Sequence, residues 1–529
     1  MAVIALPGRR AVDIPIAVIG LAVLVAAAML LPAAYLVMRV LGEGSAAWDT
    51  LSATSTTDAV VRTSLLASAV TGGAIAIAVP AAWLTVRTDL PLRPVWAVVL
   101  ALPLAFPSYV GAFAFVAALG PRGMLQDLLS PLGVERLPEI YGFWGAWLAL
   151  TLFTFPYVLL PVRAALRGMD RSLEEAARGL GKGSLSTFVR VTLPQLRPAI
   201  AAGGVLVALY TLSDFGAVSI LRFDSLTRVI YLQYTASLDR GAAATLALIL
   251  VAMALLVVAV EGVTRGKARY HASVSHRPPE PVALGAWRWP AVAFCGLVAL
   301  VALVLPASVI TFWLVRGLGE GESLAVVREA TLNSAYVSSL AALAAVAAAL
   351  PVAILAVRYR GPLSSALEKV TYSGFALPGI VIALALVFFF ANYVTFLYQT
   401  MALLVFAYVV RFLPQALGST RSSLLQVNAN TEEAARGLGY GPARVFARVT
   451  APQMLPGLSA GAALVFLTVM KELPATLILS PIGFNTLATE IWSATTASYF
   501  ARAALPALIL VAVSAIPMML LVLRERRVS

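Results

Sequence analysis

The chain has 529 residues, of which 60% are hydrophobic and 12% are charged, and its mean hydropathy is +0.91. Soluble domains carry roughly a quarter charged residues, so the composition excludes a soluble globular protein and predicts a polytopic membrane protein. The formal charge of +13 is accounted for by basic loops at one membrane face, and binding to nucleic acid is not needed to explain it. The single cysteine, Cys295, lies in an apolar run, which excludes intrachain disulfides.

Apolar runs long enough to cross a bilayer, which takes about 20 residues, recur along the whole chain. Six fall in the first half and six in the second, near 14–38, 60–86, 95–119, 142–162, 199–221, 242–263, 289–315, 332–357, 370–391, 396–418, 456–479 and 503–523. The predicted fold class is therefore all-α, with about 12 transmembrane helices in two six-helix modules.

The basic residues predict the orientation of these spans. Most of the 38 Lys and Arg residues fall at the two termini and in alternate loops. Because cytoplasmic loops carry an excess of Lys and Arg, both termini are predicted to be cytoplasmic. The polar, proline-containing stretch 264–288 is predicted to be a cytoplasmic linker between a first module at 1–263 and a second at 289–529. Its two histidines are better explained by a solvated linker than by a metal site.

The second half repeats the first at an offset near 258 residues. Residues 174–181 and 432–439 both read EEAARGLG, and VTLPQ at 191–195 is answered by VTAPQ at 449–453. Because six spans separate the copies, the modules should be parallel and related by a pseudo-two-fold axis along the membrane normal. This arrangement predicts a pathway between the two halves.

Each repeated loop is predicted to contain a short helix at the membrane surface. Ser172 stands three residues before Glu175, and Asn430 three before Glu433. This is the spacing of an N-cap residue and the carboxylate that returns to it.

Glycine and proline predict the ends of these loop helices and the path of the chain beyond them. Gly181 and Gly439 can adopt the left-handed conformation that ends a helix. Pro442 can open a second short helix, and Pro194 or Pro452 is expected to mark the turn toward the next span. An ordered loop that is duplicated indicates a docking surface for a soluble partner rather than a merely solubilising loop.

The two loops resemble the EAA loop of binding-protein-dependent ABC importer permeases. The second copy departs from the pattern at Ala451, where the family has Leu. The residues that carry the resemblance are Glu175, Ala176, Ala177, Gly181 and Pro194 in the first copy and Glu433, Ala434, Ala435, Gly439 and Pro452 in the second. In that family the loop is the coupling helix, which sits in a groove of a cytoplasmic ATPase.

The resemblance implies two permease modules fused in one chain. It implies two copies of a cytoplasmic ABC ATPase, which hold ATP and Mg²⁺, and a soluble substrate-binding protein, with no cofactor bound by this chain. It further implies a multi-pass protein of the bacterial cytoplasmic (inner) membrane, with the lipid bilayer as its solvent.

The fused layout, together with SDFGAVS at 213–219 and KELPAT at 471–476, is similar to the ferric-iron importer permeases. Ferric iron is therefore the expected cargo. Related permeases for thiamine, phosphonates or polyamines share the loops and remain alternatives. A secondary transporter driven by an ion gradient would also explain the repeat, but it would leave the duplicated loops without a function.

Asp214 and Glu472 occupy equivalent places in the repeat, each 39 residues beyond a loop glutamate and inside a predicted span. A carboxylate within a span usually faces a cavity or a partner, and oxygen ligands suit a hard cation such as Fe³⁺. Both acids are predicted to make transient metal contacts along the pathway. The alternative is that Glu472 pairs with a cation such as Lys471, while Asp214 lies at an interfacial helix end.

The motifs of several enzyme classes are missing from the sequence. It has no phosphate-binding loop of the form G-x-x-x-x-G-K-[ST], no H-E-x-x-H, and no G-x-S-x-G with triad partners. We therefore expect a transport subunit without its own ATPase site and no catalytic residues.

Overall fold

The computed structural model describes residues 16–169, 172–264, 281–319, 324–359 and 361–524. Within these ranges the chain is helical, with connecting turns and one isolated β-bridge. The prediction of an all-α membrane protein is confirmed.

The first half contains α1 (Ile16–Glu43), α2 (Ser45–Ser52), α3 (Thr54–Arg87), α4 (Arg93–Val99), α5 (Ser108–Leu119), α6 (Met124–Leu129), α7 (Phe143–Thr154), α8 (Pro156–Gly168), α9 (Ser172–Gly179), α10 (Ser184–Thr187), α11 (Leu193–Ser213), α12 (Gly216–Ile220), α13 (Leu226–Thr235) and α14 (Arg240–Thr264). The second half contains α15 (Arg288–Ala299), α16 (Leu305–Gly319), α17 (Leu324–Arg358), α18 (Pro362–Ser373), α19 (Gly379–Tyr393), α20 (Met401–Gln426), α21 (Ala429–Gly437), α22 (Pro442–Val445), α23 (Ala451–Met470), α24 (Pro474–Leu479), α25 (Leu487–Thr496) and α26 (Phe500–Arg524).

The apolar helices coincide with the predicted spans. Among the described residues, nine helices are long and apolar enough to cross a membrane, and the number is ten if a bent pair, Arg93–Ala105 with Ser108–Leu132, is counted as one span. Two shorter apolar helices, Gly379–Tyr393 and Phe500–Ile516, lie at the two remaining predicted positions. Each predicted run therefore corresponds to a helix or to a broken helix.

Four of the spans are broken rather than continuous. The breaks lie between α4 and α5, α11 and α12, α18 and α19, and α23 and α24. The first is a bend of 95°. Proline explains three of them, because it lacks an N–H and its ring clashes with the preceding turn: Pro107 and Pro378 cap α5 and α19, and Pro474 begins α24.

The helices within each half pack in the same way, and the first span of each half also packs against helices of the other half. In the first half α3, α8 and α11 pack together, and α17, α20 and α23 do so in the second. Helix α1 packs against α17, α18 and α19 of the other half, and α16 packs against α5. The two modules are therefore interlocked, with an interface that runs through the bundle.

Exposed tryptophans lie near both ends of the bundle. Trp48 and Trp144 lie at one end, and Trp287 and Trp289 at the opposite end, each at least 70% exposed. Tryptophan is enriched at membrane interfaces, where the apolar ring meets the polar headgroups. We therefore expect these side chains to lie at the two membrane interfaces.

The end of the predicted linker is attached to the end of α3. Residues 265–280, including both histidines, lie outside the described residues. Beyond them, the Val282 N–H donates to the Arg87 carbonyl at 2.8 Å, and the Asp89 N–H donates to the Val282 carbonyl at 3.1 Å. Asp89 then accepts from the Leu284 N–H at 2.9 Å and from Arg288 at 2.7 Å. We call these contacts the linker clasp.

The charge of Asp89 contributes to the linker clasp at neutral pH. The hydrogen bond from the Leu284 N–H, and then the Arg288 guanidinium, hold the pKa of this carboxyl below its ordinary value of 3.8. Because the pKa is lowered in the folded state, this contribution is fully present above pH 3.8 and is lost only as the pH falls through the lower folded value.

The first prediction concerns this clasp. Asp89→Ala removes both acceptor oxygens, so the Leu284 amide should exchange with deuterium several-fold faster. Asp89→Asn should have a smaller effect, because its amide oxygen can still accept from Leu284. Hydrogen–deuterium exchange of residues 281–288 measures both, and Asp127→Ala on the exposed helix α6 serves as the control. Unchanged exchange in Asp89→Ala, or loss of wild-type protection already at pH 5, would contradict the assignment.

Candidate functional site

Each repeated loop forms a short helix that ends at the predicted glycine. Gly181 and Gly439 have φ values of +79° and +84°, in the left-handed region that most side chains disfavour. Just past the first glycine, the Lys182 N–H donates to the Ala177 carbonyl at 3.1 Å, and the equivalent bond of the second loop measures 3.2 Å. The predicted helix ends are confirmed.

The start of the second loop helix differs from the prediction. Its N-cap is Asn428, whose side chain accepts from the Asn430 N–H at 3.0 Å, so Asn430 already lies inside α21 and its prediction as the N-cap was wrong. Asn428 has the extended backbone of a cap (φ −68°, ψ 121°), and the helix therefore begins at Ala429. In the first loop α9 includes Ser172, and the residues just before it lie outside the described ranges.

The prolines of the loops do not mark a turn. Pro442 opens the short helix α22 as predicted, but Pro194 and Pro452 occupy the first turns of α11 and α23. A π-helical turn precedes each long helix, at Phe188–Thr192 and Phe446–Thr450. A first-turn proline has no N–H to satisfy, so the chain continues as a helix from the loop into the span.

A buried glutamate anchors the first loop. Glu174 accepts from the Thr192 hydroxyl at 3.0 Å and lies 3.5 Å from Arg87, whose side chain is only 3% exposed. Arg87 is the last residue of α3, and Thr192 directly precedes α11. These contacts join the loop to two of the three helices that form the bundle of the first half.

The second loop is anchored in the same way. Glu432 accepts from the Thr450 hydroxyl at 2.9 Å and from Arg358, the last residue of α17, at 3.0 Å. Arg358 also donates to the Val427 carbonyl at 3.2 Å. The duplicated motif thus preserves an arrangement of glutamate, threonine and arginine, not only a sequence.

The sequence pattern singled out the second glutamate of each loop, whereas the anchor is the first. In α9, Glu174 and Ala177 are buried, while Glu175 and Ala176 are exposed. The second loop repeats this pattern at 432–435. Because residues i and i+3 share a helix face, the spacing of Glu174 and Ala177 within the identical motif was the signal that could have identified the anchor.

Each loop presents a leucine to solvent. Leu180 is 81% exposed and Leu438 is 79% exposed, each directly before the positive-φ glycine. These leucines occupy equivalent positions, each five residues after an exposed glutamate, Glu175 or Glu433. Each loop therefore offers a matching surface of one apolar and one acidic side chain.

Asp214 lies at the break between α11 and α12. Its Oδ1 accepts from the N–H groups of Ala217 and Val218 at 3.0 and 3.2 Å, and its Oδ2 accepts from the Ser108 hydroxyl. Its backbone carbonyl accepts from the Thr227 hydroxyl at 2.6 Å. The acid therefore caps the short helix α12 and ties it to α5.

Glu472 lies at the equivalent break between α23 and α24. Its Oε1 accepts from the Ala475 N–H at 3.2 Å and from Arg411 at 3.0 Å. Its carbonyl accepts from the Thr476 hydroxyl at 2.6 Å, and Thr476 is hydrogen-bonded to the Tyr408 hydroxyl at 2.7 Å. The ion pair of Glu472 is thus made with Arg411 rather than with its neighbour Lys471.

The two acids have different partners because their surroundings differ. Ser108 and Gly379 are the first residues of α5 and α19, each directly after a capping proline. In the first half the serine is the partner of the acid. In the second half the glycine leaves room for Arg411, whose Nη1 lies 1.3 Å from the point where a Cβ of residue 379 would stand.

Arg411 was not identified from the sequence, although it falls within the predicted span at 396–418. A charged residue inside an apolar run usually has a partner or faces a cavity, and this was the available signal. The described residues contain no cluster of three or more His, Cys, Asp or Glu side chains suited to a metal ion. The predicted transient contacts of Asp214 and Glu472 with metal cargo remain a prediction.

The second prediction tests the Arg411 pair. Gly379→Ala would displace the guanidinium and leave Glu472 without it, and breaking a buried ion pair costs about 3 kcal/mol. Thermal unfolding of the purified protein should therefore occur at a lower temperature. Gly418→Ala on α20, where the nearest atom to a new Cβ would be 3.8 Å away, should be near neutral. Equal stability of the two variants would show that Arg411 does not stabilise the break.

Comparison with known proteins identifies the family. Residues 74–266 and 344–529 match the family described as binding-protein-dependent transport system inner membrane component. The chain is 34% identical over 507 residues to the Fe(3+)-transport system permease protein FbpB 2 of Haemophilus influenzae, covering 95% of this chain and 97% of that protein.

Two further relatives match more distantly or over a shorter length. The putative ferric transport system permease protein FbpB 1 of Haemophilus influenzae is 24% identical over 398 residues, covering 72% of this chain and 63% of that protein. The molybdenum transport system permease protein ModB of Escherichia coli is 37% identical over 142 residues, 26% of this chain and 58% of that protein. Because the family match recurs in both halves and covers most of the chain, the chain belongs to the binding-protein-dependent transport system inner membrane components, the permeases of ABC importers.

Proposed function

We propose that the chain is the fused permease of an ATP-driven importer of ferric iron. The observation that carries this proposal is the match, over nearly the whole of both chains, to a permease named for Fe(3+) transport. Permeases of this family work with an ATPase and a substrate-binding protein. We propose two copies of the ATPase, one for each loop, and a binding protein that delivers iron from the periplasm or the cell exterior.

The exposed loop faces are the proposed docking sites for the ATPases. Leu180 and Leu438 would enter apolar parts of the ATPase groove, and burying an exposed leucine contributes about 1.5–3 kcal/mol. We place the loops, together with both termini, in the cytoplasm of a bacterium, because the basic residues concentrate at that face. ATP and Mg²⁺ would be held by the partner alone.

The anchors explain how movement of a docked loop would reach the pathway. Glu174 joins the first loop to the end of α3 through Arg87, and Glu432 joins the second to α17 through Arg358. A loop that moves with the ATPase would therefore move a long helix with it. The free energy for this change must come from a difference in ATPase binding between the two states of the permease.

The proposed pathway follows the interface between the halves, where the broken spans meet. Discontinuous helices form the substrate sites of many transporters. Asp214 and Glu472 are our proposed transient cargo contacts, since rearrangement of the breaks during transport would release their present partners. No residue is proposed as catalytic.

The decisive experiment is uptake into proteoliposomes that contain this chain and its ATPase, with the binding protein outside. ATP-dependent accumulation of ⁵⁵Fe, with no comparable uptake of thiamine, a phosphonate, a polyamine, molybdate or sulfate, is the expected result. ATP-dependent uptake of another solute would keep the architecture and refute iron as cargo. Uptake that needs no ATPase and collapses with a protonophore would instead identify a secondary transporter.

The third prediction concerns docking. Leu180→Asp and Leu438→Asp should each weaken ATPase binding by about tenfold or more, because each removes a buried apolar contact, and the double variant should abolish ATP-dependent uptake. Co-purification of the ATPase and titration of its binding measure the effect. Leu128→Asp, on the 73% exposed Leu128 near the opposite end of the bundle, is the matched control. Normal ATPase binding by the double variant would refute the docking surface.

A further inference from the structure

Three of the helix breaks meet where the two halves come together. A Cβ at Gly216, the first residue of α12, would lie 2.6 Å from the Tyr109 Cβ and 3.1 Å from the Leu473 Cδ2. Lys471, at the end of α23, donates from Nζ to the Leu104 carbonyl of the first half at 3.3 Å. We call the residues Leu104, Tyr109, Gly216, Lys471 and Leu473 the central junction.

The charged side chains at the central junction differ in their partners. Asp214 accepts from three donors, and Glu472 is paired with Arg411. Among the described residues, Lys471 has no carboxylate within 4.0 Å, and the carbonyl of Leu104 is the acceptor that its ammonium contacts. The Lys471 ammonium therefore has no ion-pair partner of its own in the described part of the chain.

A second polar group of the junction also lacks a partner. The Tyr109 side chain is 4% exposed, and its hydroxyl has no hydrogen-bond partner in the described part of the chain. A buried hydroxyl without a partner costs free energy, which a ligand that accepts its hydrogen bond would recover. An ammonium and a phenol hydroxyl are both donors, and each of them is suited to an anionic oxygen.

Stabilisation of the helix end does not explain why a lysine stands at position 471. A cation at a helix C-terminus interacts favourably with the helix dipole, and Lys471 caps α23. However, the equivalent helix α11 ends at Ser213, followed by the acid Asp214, and it breaks at the same point without a cation. The break does not require the lysine.

We propose that the central junction recognises an anionic oxygen ligand carried by the cargo, so that the metal crosses together with its ligand rather than as a bare cation. Lys471 and the Tyr109 hydroxyl would contact a carboxylate or phosphate oxygen of the complex. The ammonium repels a bare Fe³⁺ and attracts an anionic oxygen that ligates it, and both effects are strong in a poorly screened environment. This inference rests on the proposed function and specifies the chemical form of its cargo.

The test is a double-label uptake experiment with the complete transporter in proteoliposomes. ⁵⁵Fe(III) is supplied with ¹⁴C-citrate in one series and with ³²P-phosphate in another, and both labels inside the vesicles are counted. We expect at least one of these anions to accumulate with iron in a fixed ratio, in an ATP-dependent manner. Iron that accumulates without either label would overturn the inference while leaving the proposed function intact. Absence of any ATP-dependent iron uptake by the wild type would overturn the proposed function instead.

Variants of the junction form the fourth prediction. Lys471→Met keeps the length of the side chain but removes its charge, and it should lower the uptake of both labels together by about tenfold. Lys471→Arg should retain more uptake than Lys471→Met, and Tyr109→Phe should lower it by a smaller factor. Lys369→Met, on the exposed face of α18, controls for the loss of one positive charge.

Correct folding of each variant is checked by its elution from a sizing column and by ATPase binding, neither of which needs the junction. Normal uptake by a folded Lys471→Met protein would refute the role of the ammonium. If Lys471→Met does not fold, the folded Lys471→Arg and Tyr109→Phe proteins still decide the matter, because unchanged label ratios and rates in both would refute anion recognition.

Discussion

A helix that breaks inside a bilayer leaves backbone N–H and carbonyl groups that lipid cannot pair, and this constraint governs the centre of the protein. At the break after α11, Asp214 accepts from two backbone N–H groups of α12, and the Thr227 hydroxyl donates to its carbonyl. Glu472 plays the same part for α24 through Ala475. The acids therefore allow the spans to change direction where the two halves meet, and their place in the repeat follows from the place of the breaks.

Two helices connect the breaks at the centre to the loops at the surface. The helices that end at the breaks, α11 and α23, begin directly after Thr192 and Thr450, which hold the loop glutamates. Each of these helices thus has an anchored loop at one end and a charged break at the other. One continuous helix in each half therefore connects the loop surface directly to the break in the interior.

The sequence predicted the parts of the structure that depend on local chemistry. The twelve apolar runs, the duplicated loops and the glycines that end the loop helices follow from hydrophobic length, register and the left-handed conformation of glycine. Contacts between distant segments could not be predicted from the sequence. The partner of Asp214 is 106 residues away and that of Glu472 is 61 residues away, and runs of Ala, Leu and Val do not indicate which faces meet. The breaks also escaped prediction, because an apolar run looks the same whether its helix is continuous or bent.

The linker joins the two halves covalently, and the linker clasp holds its end against the C-terminal end of α3. The covalent connection has an evolutionary consequence. In a permease built from two identical chains, every substitution appears on both sides of the symmetry axis, so a lysine at the junction would face another lysine. In a fused chain each side can change alone. Three pairs of equivalent positions differ in this way: Ser213 and Lys471, Phe153 and Arg411, and Ser108 and Gly379. Joining the halves in one polypeptide therefore lets selection act on one half of the interface without altering the other.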